Sequence, residues 1–361
     1  VATIEDVAKA AGVSKGTVSN VFSKKRPISK EVTEHVMQVA KELNYRPNYW
    51  ARSLVNKKTR IIGLNMRGEK LKMSHFQYSL LNGVLPVCYE RGYRLLLNTL
   101  SPNYLNQVEH LASDPVDGEI ILDAVIGDSR VEDCLQRNVP IVVIGRPSGE
   151  DETRVSYVNN DNIGTAAKVT QYLISLGHEQ ILFINGPENR TVTADRTAGY
   201  MQAFSQQGKK PAEGMIVHQN NLQAMTSLTY SYETALSRLK ENPEITAVLT
   251  DTESMALGVY KAAAELNLRI PDQLSVLCFG YGGTLAQEFN PPLTGVDLHA
   301  DKLGTEAIQL LLEQLEQSDA EDKLAKRTII PSDLVVRGSC DRRESKPDSV
   351  DQTQPPKKIK A

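Results

Sequence analysis

One short stretch near the start of the chain, Ile4 to Phe22, limits its fold and purpose more than any other. Ile4, Val7, Ala8 and Ala11 recur at helical spacing. Thr3, with Asp6 three residues on, predicts a capping box at the helix start. Ala10-Ala11-Gly12 ends that helix, because glycine supplies the backbone freedom a sharp turn requires. Ser14 then caps a second helix from Lys15 through Phe22, with Val13, Val18 and Val21 turned inward. Lys15, Gly16, Thr17, Ser19 and Asn20 are left on its outer side. Any helical hairpin shows such spacing, but here the outer face is small, polar and basic, and further signals follow. A third helix begins at a Ser29 cap, after Pro27-Ile28, and turns Val32, Val36, Val39, Ala40 and Leu43 inward. It ends at Asn44-Tyr45-Arg46-Pro47, since proline cannot continue a helix. Pro47 to Leu54 is a further segment, too short to hold a helix alone. A glycine turn between small-cored helices, with a polar second helix exposed at its N-terminus, is the form that enters a DNA major groove.

The charge distribution points the same way. Up to Lys58 there are eleven basic and five acidic residues, a net +6 in a chain whose total is −3. The remainder is therefore −9. A solvated basic face is the bland explanation, but it does not account for a basic helix-turn-helix. A basic module on an acidic body is what a protein needs to grip phosphate with one end only.

From Arg60 the pattern changes to apolar strand-like runs alternating with helical stretches. Strands are expected at 61–65, 95–98, 119–123 and 141–145, with helices from Phe76, Asn106 and Val131 between and after them. The rhythm then repeats, with strands at 181–186, 215–218, 248–251 and 276–280 and helices from Arg196, Tyr232 and Ser254. Phe76, Leu80, Val84, Val87 and Arg91 show the helical period on one face. This βαβ alternation predicts an α/β protein with two similar open parallel sheets covered by helices. In such sheets ligands bind beyond the carboxyl ends of the strands. Those ends are polar or small here: Asn65, Asn98, Asp123, Gly145-Arg146, Asn185-Gly186, Asp251 and Gly280-Tyr281. Each alone reads equally well as a turn or cap residue; together they suit a hydroxyl-rich ligand, with Phe76 or Tyr281 as an aromatic plane.

Catalysis and metal binding find no support. Cys88, Cys134, Cys278 and Cys340 lie far apart, without a CxxC, HExxH or Cys/His cluster, and read as reduced thiols. No spacing singles out a nucleophile with its base, so the expectation is a non-enzyme with no metal and no cofactor. Gly280-Tyr281-Gly282-Gly283 lacks the Lys-Ser/Thr of a phosphate loop. No long apolar run and no leader are present, which predicts a cytoplasmic protein without a membrane role.

ATIEDVAKAAGVSKGTVSNVF (Ala2 to Phe22), then ELNYRPN (Glu42 to Asn48) and ARSL (Ala51 to Leu54), resembles the headpiece of the lactose-repressor (LacI/GalR) family of bacterial transcription regulators. The chain to about Gly338 is similar to that family in its order of segments. The resemblance implies a helix-turn-helix domain at 1–45, a hinge helix and linker at 46–58, and a two-lobed core like the periplasmic sugar-binding proteins. Its first lobe would be 59–158 with 291–320 returning to it, its second 159–290 completed by 325–337. The strand near Leu293 to Val296 and the helix from Ala300 would belong to the first lobe, and Thr328 to Arg337 to the second. Residues 338–361, rich in charge, Ser, Pro and Gln, read as a disordered tail. No leucine heptad is visible, so a homodimer is expected.

In this family Lys15, Gly16 and Asn20 match positions that face base edges. Asn pairs with adenine and Lys donates to guanine, while Gly16 leaves one reading position silent. Thr3, Ser14, Thr17 and Ser19 suit phosphate contacts or caps. The resemblance adds Ser29, Tyr45, Asn48, Ala51 and Arg52 to the DNA-facing set. Leu54 matches the family's minor-groove wedge, with plain core packing as the other reading. Trp50 departs from the smaller apolar residue usual there.

For the effector, Arg196 in ADRTAGY matches the arginine with which many members hold their ligand. Asp161 in VNNDNIG either touches ligand or caps the next helix. Arg146 in VVIGRP resembles the maltose-type regulators. Phe76, Asp123, Asp251, Thr252, Gly280 and Tyr281 complete the expected pocket. Two departures stand out: Thr252-Glu253 replaces the usual Asn-Asp before MALG, and Gly280 stands where the family carries a sugar-binding acid. The resemblance therefore implies a DNA-binding repressor of carbohydrate genes, switched by a small molecule, with a protein corepressor as the alternative partner and a solute-binding protein as a remoter one.

Overall fold

The structure is a computed structural model that describes residues 2–24, 26–46, 58–66, 73–98, 116–220, 225–280, 285–317 and 324–343. Its contacts divide the chain into two units, residues 1–61 with 115–117, and residues 62–114 with 118–361.

The first unit holds α1 (Ile4–Ala10), α2 (Lys15–Ser23) and α3 (Lys30–Glu42). Each begins at its expected cap. The Thr3 amide donates to Asp6 Oδ2 at 2.8 Å and the Asp6 amide returns to Thr3 Oγ1 at 3.3 Å. Ser14 Oγ accepts the Thr17 N–H and Ser29 Oγ the Val32 N–H. Gly12 turns the chain at φ +65°, which a side chain would resist. The core consists of Val7, Ala8, Ala11, Val18, Val21, Val36, Val39 and Ala40. Leu43, expected inside, is the C-terminal cap of α3 and stands exposed, because the helix ends there.

The second unit contains two six-stranded sheets. The first is built from β1 (Ile61–Asn65), β2 (Arg94–Asn98), β3 (Gly118–Leu122), β4 (Ile141–Ile144) and β5 (Ser156–Asn160). The second is built from β6 (Ile181–Asn185), β7 (Ile216–His218), β8 (Ala247–Thr250), β9 (Ser275–Cys278) and β10 (Thr294–Asp297). β11 (Arg327–Ile330) closes the first sheet in the order β2-β1-β3-β4-β5-β11. β12 (Asp333–Val335) closes the second in the order β7-β6-β8-β9-β10-β12, lying antiparallel to β10. The inner strands are buried on both faces, which is why they read as continuous apolar runs rather than alternating ones. α4 (His75–Arg91) and α11 (Ala300–Glu316) pack together in the first lobe. Their backbones meet at glycine: a Cβ on Gly83 would lie 1.8 Å from the Asp301 carbonyl oxygen. α5 (Ser129–Gln136) and the one-turn α6 (Asp151–Arg154) complete that lobe, and α7 (Asn162–Ser175), α8 (Thr191–Gln206), α9 (Ser227–Glu241) and α10 (Glu253–Glu265) surround the second sheet. No described helix is long and apolar enough to cross a membrane.

Several expectations are corrected. β10 pairs in parallel with β9, so the strand at 294–297 belongs to the second sheet; the chain returns to the first lobe only with α11. β11 pairs with β5 in the first sheet, so only the part from Asp333 finishes the second. β5 was not foreseen as an element, since SYVNN carries three polar residues that interrupt the apolar signal although every one is buried; the helix that Asp161 was expected to cap is α7. α8 starts at Thr191, five residues before the expected Arg196. The tail is docked as far as Arg343: Ser339 Oγ donates to Val276 O at 2.6 Å, and the Arg343 amide to Leu176 O at 2.8 Å. The helix expected from Asn106 and residues 344–361 lie outside the described residues.

The chain crosses between the lobes three times, after β5, after β10 and after β11. Asn160, buried at the first crossing, donates its amide to Leu298 O at 3.1 Å and to Ile330 O at 2.9 Å, one carbonyl from each of the others. Thr165 and Ser332 hydroxyls meet at 2.6 Å beside it. Asn160→Ala is expected to cost about 2–4 kcal/mol by leaving two buried carbonyls without a donor. A thermal midpoint unchanged from the parent would show that the crossings hold without it.

Candidate functional site

Two regions bring functional side chains together. On the first unit, the start of α2 presents Lys15 and Gly16 to solvent, with Asn20 one turn later and half-exposed. The Ser14 and Thr17 hydroxyls bond each other at 2.9 Å and serve the α2 cap; Thr3 and Ser29 serve the α1 and α3 caps, and all but the half-buried Thr17 remain exposed. A Cβ on Gly16 would meet only Ser14 Oγ, at 3.6 Å, so space does not require glycine there. Lys15 Nζ sits 2.6 Å from Glu5 Oε1 on α1, a partner the sequence pattern did not reveal. Tyr45 is half-buried with its ring edge-on to Phe22 at 5.6 Å, so it braces the end of α3 against α2. Asn48, Trp50, Ala51, Arg52 and Leu54 lie outside the described residues.

The second region lies at the carboxyl ends of the strands, where the two lobes touch. The Arg190 segment forms a β-bridge with Val125, and the Ile126 amide donates to Asn189 O at 2.8 Å. Arg146, just after β4, crosses to Asp195 of α8 with two bonds of 2.6 and 3.2 Å, and is also 3.3 Å from Glu152. That carboxylate bonding raises the already high pKa of the guanidinium. Phe76, at the start of α4, packs against the apolar clusters of both lobes. Asp123 follows β3 in a left-handed conformation, φ +58°, which aspartate tolerates better than most residues. Arg130 was not foreseen. It holds Asp128 through two nitrogens and donates to Leu122 O, Asp123 O and Asn65, tying the ends of β1 and β3 together.

In the second lobe, Arg196 is buried on α8. Its Nη1 donates to Asp251 Oδ1 and to Asp251 O at 3.3 Å, and its guanidinium lies 4.2 Å from the centre of the Phe279 ring. Arg196 and Asp251 were both expected at the pocket; here they bond each other, and Phe279 supplies the aromatic face. Asn185 reaches back from the end of β6 to Thr193 O and Thr197 Oγ1. Thr252 caps α10 by accepting the Met255 N–H, and Asp161 caps α7 by accepting the Gly164 N–H at 2.9 Å, so both act first as helix caps. Gly280 turns the chain at φ +73°, a conformation that glycine adopts freely. Tyr281 lies outside the described residues.

Burial pushes the Cys88 thiol up to about 11, Cys134 and Cys340 to about 12, and Cys278 well above its ordinary value. None of the four is a ready nucleophile at neutral pH. No group of three potential metal ligands occurs among the described residues.

Comparison with known proteins gives this arrangement a context. Residues 3–48 match the profile described as bacterial regulatory proteins, lacI family, and residues 170–340 match a periplasmic binding protein-like domain. The chain is 33% identical over 351 residues to the ribose operon repressor of Escherichia coli (strain K12), covering 94% of this chain and 100% of that one. It is similar in structure to a transcriptional regulator CelR–cellobiose complex, with a TM-score of 0.71 and 28% identity over 94% of this chain and all of the other. It also matches the lac repressor dimer bound to operator and the anti-inducer ONPF, with a TM-score of 0.77 and 25% identity over 94% of this chain and 99% of that one. A capped helix-turn-helix followed in sequence by two such lobes, and relatives of this identity matched over nearly their full length, lead to one conclusion: the chain belongs to the lacI family of bacterial regulatory proteins and is a DNA-binding transcriptional regulator.

Proposed function

We propose that this protein is a cytoplasmic repressor of carbohydrate-utilisation genes that binds a palindromic operator as a homodimer and is switched by a sugar held between its core lobes. The observation that carries this reading is the exposed start of α2, with Lys15 and Asn20 on one polar face, in a chain whose core closes around Arg196 and Asp251. Lys15 and Asn20 read base edges, and Thr3, Ser14, Thr17, Ser19 and Ser29 set the register on phosphate. Residues 46–58 serve as the hinge, and Leu54 wedges a base step at the operator centre. A homodimer is supported by α4, where Tyr78, Leu85 and Tyr89 repeat at helical spacing and stand exposed, Tyr89 by 87%. They share the lobe with the edge strand β2, whose Leu96 and Leu97 are also exposed. Paired on a two-fold axis, such faces bring two headpieces to two half-sites. The names of the ribose operon repressor and the CelR–cellobiose complex support a sugar as the effector. Ligand in the cleft favours one lobe arrangement, and because linkage is reciprocal, ligand and operator then alter each other's affinity.

Selection of bound duplexes from a random library by the full chain is expected to yield a palindrome. One member of a mono- and disaccharide panel is expected to raise the thermal midpoint and change operator affinity by about fivefold or more. Sequence-blind binding, or a panel without effect on either quantity, would remove the corresponding half of the reading.

Asn20→Ala is expected to lose about 1–3 kcal/mol on the selected operator and little on unrelated DNA. Equal loss on every duplex would mean that Asn20 does not read bases. Glu5→Gln frees Lys15 from its exposed ion pair, so non-operator binding at low salt should tighten by about twofold to fivefold. Weaker binding would instead make Glu5 a support for the α1–α2 turn.

A further inference from the structure

We propose that Asp251 decides the charge of the ligand: by neutralising Arg196 it makes the cleft a receptor for uncharged, hydroxyl-bearing molecules and closes it to phosphates and carboxylates. This rests on the cleft being the effector site and goes beyond it by naming the residue that selects the ligand's charge.

Arg196 and Asp251 are both buried, at 5% and 8% exposure, and bonded side chain to side chain. A buried guanidinium without a partner would attract any anion that fitted. Here its positive charge is already met, and a ligand anion would have to lie beside the Asp251 carboxylate in a region poor in water. The neighbouring guanidiniums are matched as well. Arg146 holds Asp195 and Glu152, and Arg130 holds Asp128 at 2.7 Å. Arg130, Arg146 and Arg196 thus each arrive with a carboxylate of their own.

The second lobe also has unmet hydrogen-bonding capacity, two groups on α8 close to Asp251 and one just after β7. Thr193 Oγ1, Arg196 Nε and Gln219 Oε1 are buried and without a partner. They comprise a hydroxyl, a donor and an acceptor, the set that sugar hydroxyls, which both donate and accept, are able to satisfy. Gly186 sits between two of the groups involved. A Cβ there would lie 2.9 Å from Asp251 Oδ2 and 3.1 Å from Thr193 Oγ1. Glycine thus keeps a side chain off the second carboxylate oxygen, the one not bonded to Arg196, and off the unpartnered hydroxyl. A ligand hydroxyl approaching them donates to Asp251 Oδ2 and exchanges a hydrogen bond with Thr193, with no change in net charge.

The test uses the full chain at constant ionic strength and four probes: D-ribose, D-ribose 5-phosphate, cellobiose and inorganic phosphate. Titration calorimetry and thermal shift are the readouts. The unaltered protein is expected to show no phosphate or ribose 5-phosphate binding at millimolar concentration. Asp251→Asn is expected to bind inorganic phosphate at least tenfold more tightly than the parent, and the double variant Asp251→Asn with Arg196→Ala to lose that gain. Phosphate binding by the unaltered protein that disappears in Arg196→Ala overturns the proposal, and this arm stands even where Asp251→Asn fails to fold. A folded Asp251→Asn without the gain overturns it as well. If neither D-ribose nor cellobiose nor any sugar of the wider panel binds, the sugar reading fails, while the phosphate result still decides the role of Asp251.

Discussion

The core depends on one buried amide. Three separate chain crossings join the lobes, and Asn160 at the first of them donates to a carbonyl in each of the other two. Few side chains fit that position. Aspartate would set carboxylate oxygens against two carbonyl oxygens, and leucine would leave both carbonyls without a donor. The carboxamide has two N–H bonds on one nitrogen and meets both. The polar contacts between the lobes at the strand ends are of a different kind. Arg146–Asp195 is an ion pair whose arginine is 31% exposed, and the bond from the Ile126 amide to Asn189 joins two loops. Water is able to replace such contacts, whereas it cannot readily replace those of a residue 5% exposed. The lobes are therefore permanently tied at the crossings and exchangeably tied at the strand ends, which is the asymmetry a ligand-responsive cleft requires.

Where the sequence was legible, one physical signal dominated. The caps at Thr3, Ser14 and Ser29 depend on local hydrogen bonds three residues apart, so the pattern reveals them directly. The inner strands were legible because burial on both faces makes them uniformly apolar. The failures have the opposite cause. β5 is buried yet carries Ser156, Asn159 and Asn160, because the crossing needs polar groups there. The strands at 294–297 and 327–330 are each four residues long, and their sheet is chosen by pairing partners far away in sequence. No local pattern carries that information. The docked tail was hidden similarly: Ser339 looks like a solvated residue until its hydroxyl is seen to donate to Val276 O, and Asp341, itself exposed, is held through its backbone carbonyl by His178 Nε2.

In the cleft, the sequence showed which residue types stood at strand ends but not their pairing. Thr252 was read as a ligand group and Asp161 as either a ligand group or a cap; both are engaged as helix caps, an obligation that any residue before a helix is prone to meet. The acid missing at Gly280 is supplied one strand over. β8 and β9 are neighbours in register, Thr250 opposite Cys278, so the residues that follow them, Asp251 and Phe279, both reach Arg196.

That exchange constrains more than one position. A guanidinium 5% exposed needs both a counter-charge and a surface to lie on, and Asp251 and Phe279 divide those tasks. Gly280 then turns the chain at φ +73° directly after Phe279. Returning an acid to position 280 would add a second negative charge to a corner whose single buried arginine is already matched. The glycine at 280 and the aspartate at 251 thus fit one arrangement: the strand that ends at Thr250, and not the turn at Gly280, brings the carboxylate to Arg196 inside the protein.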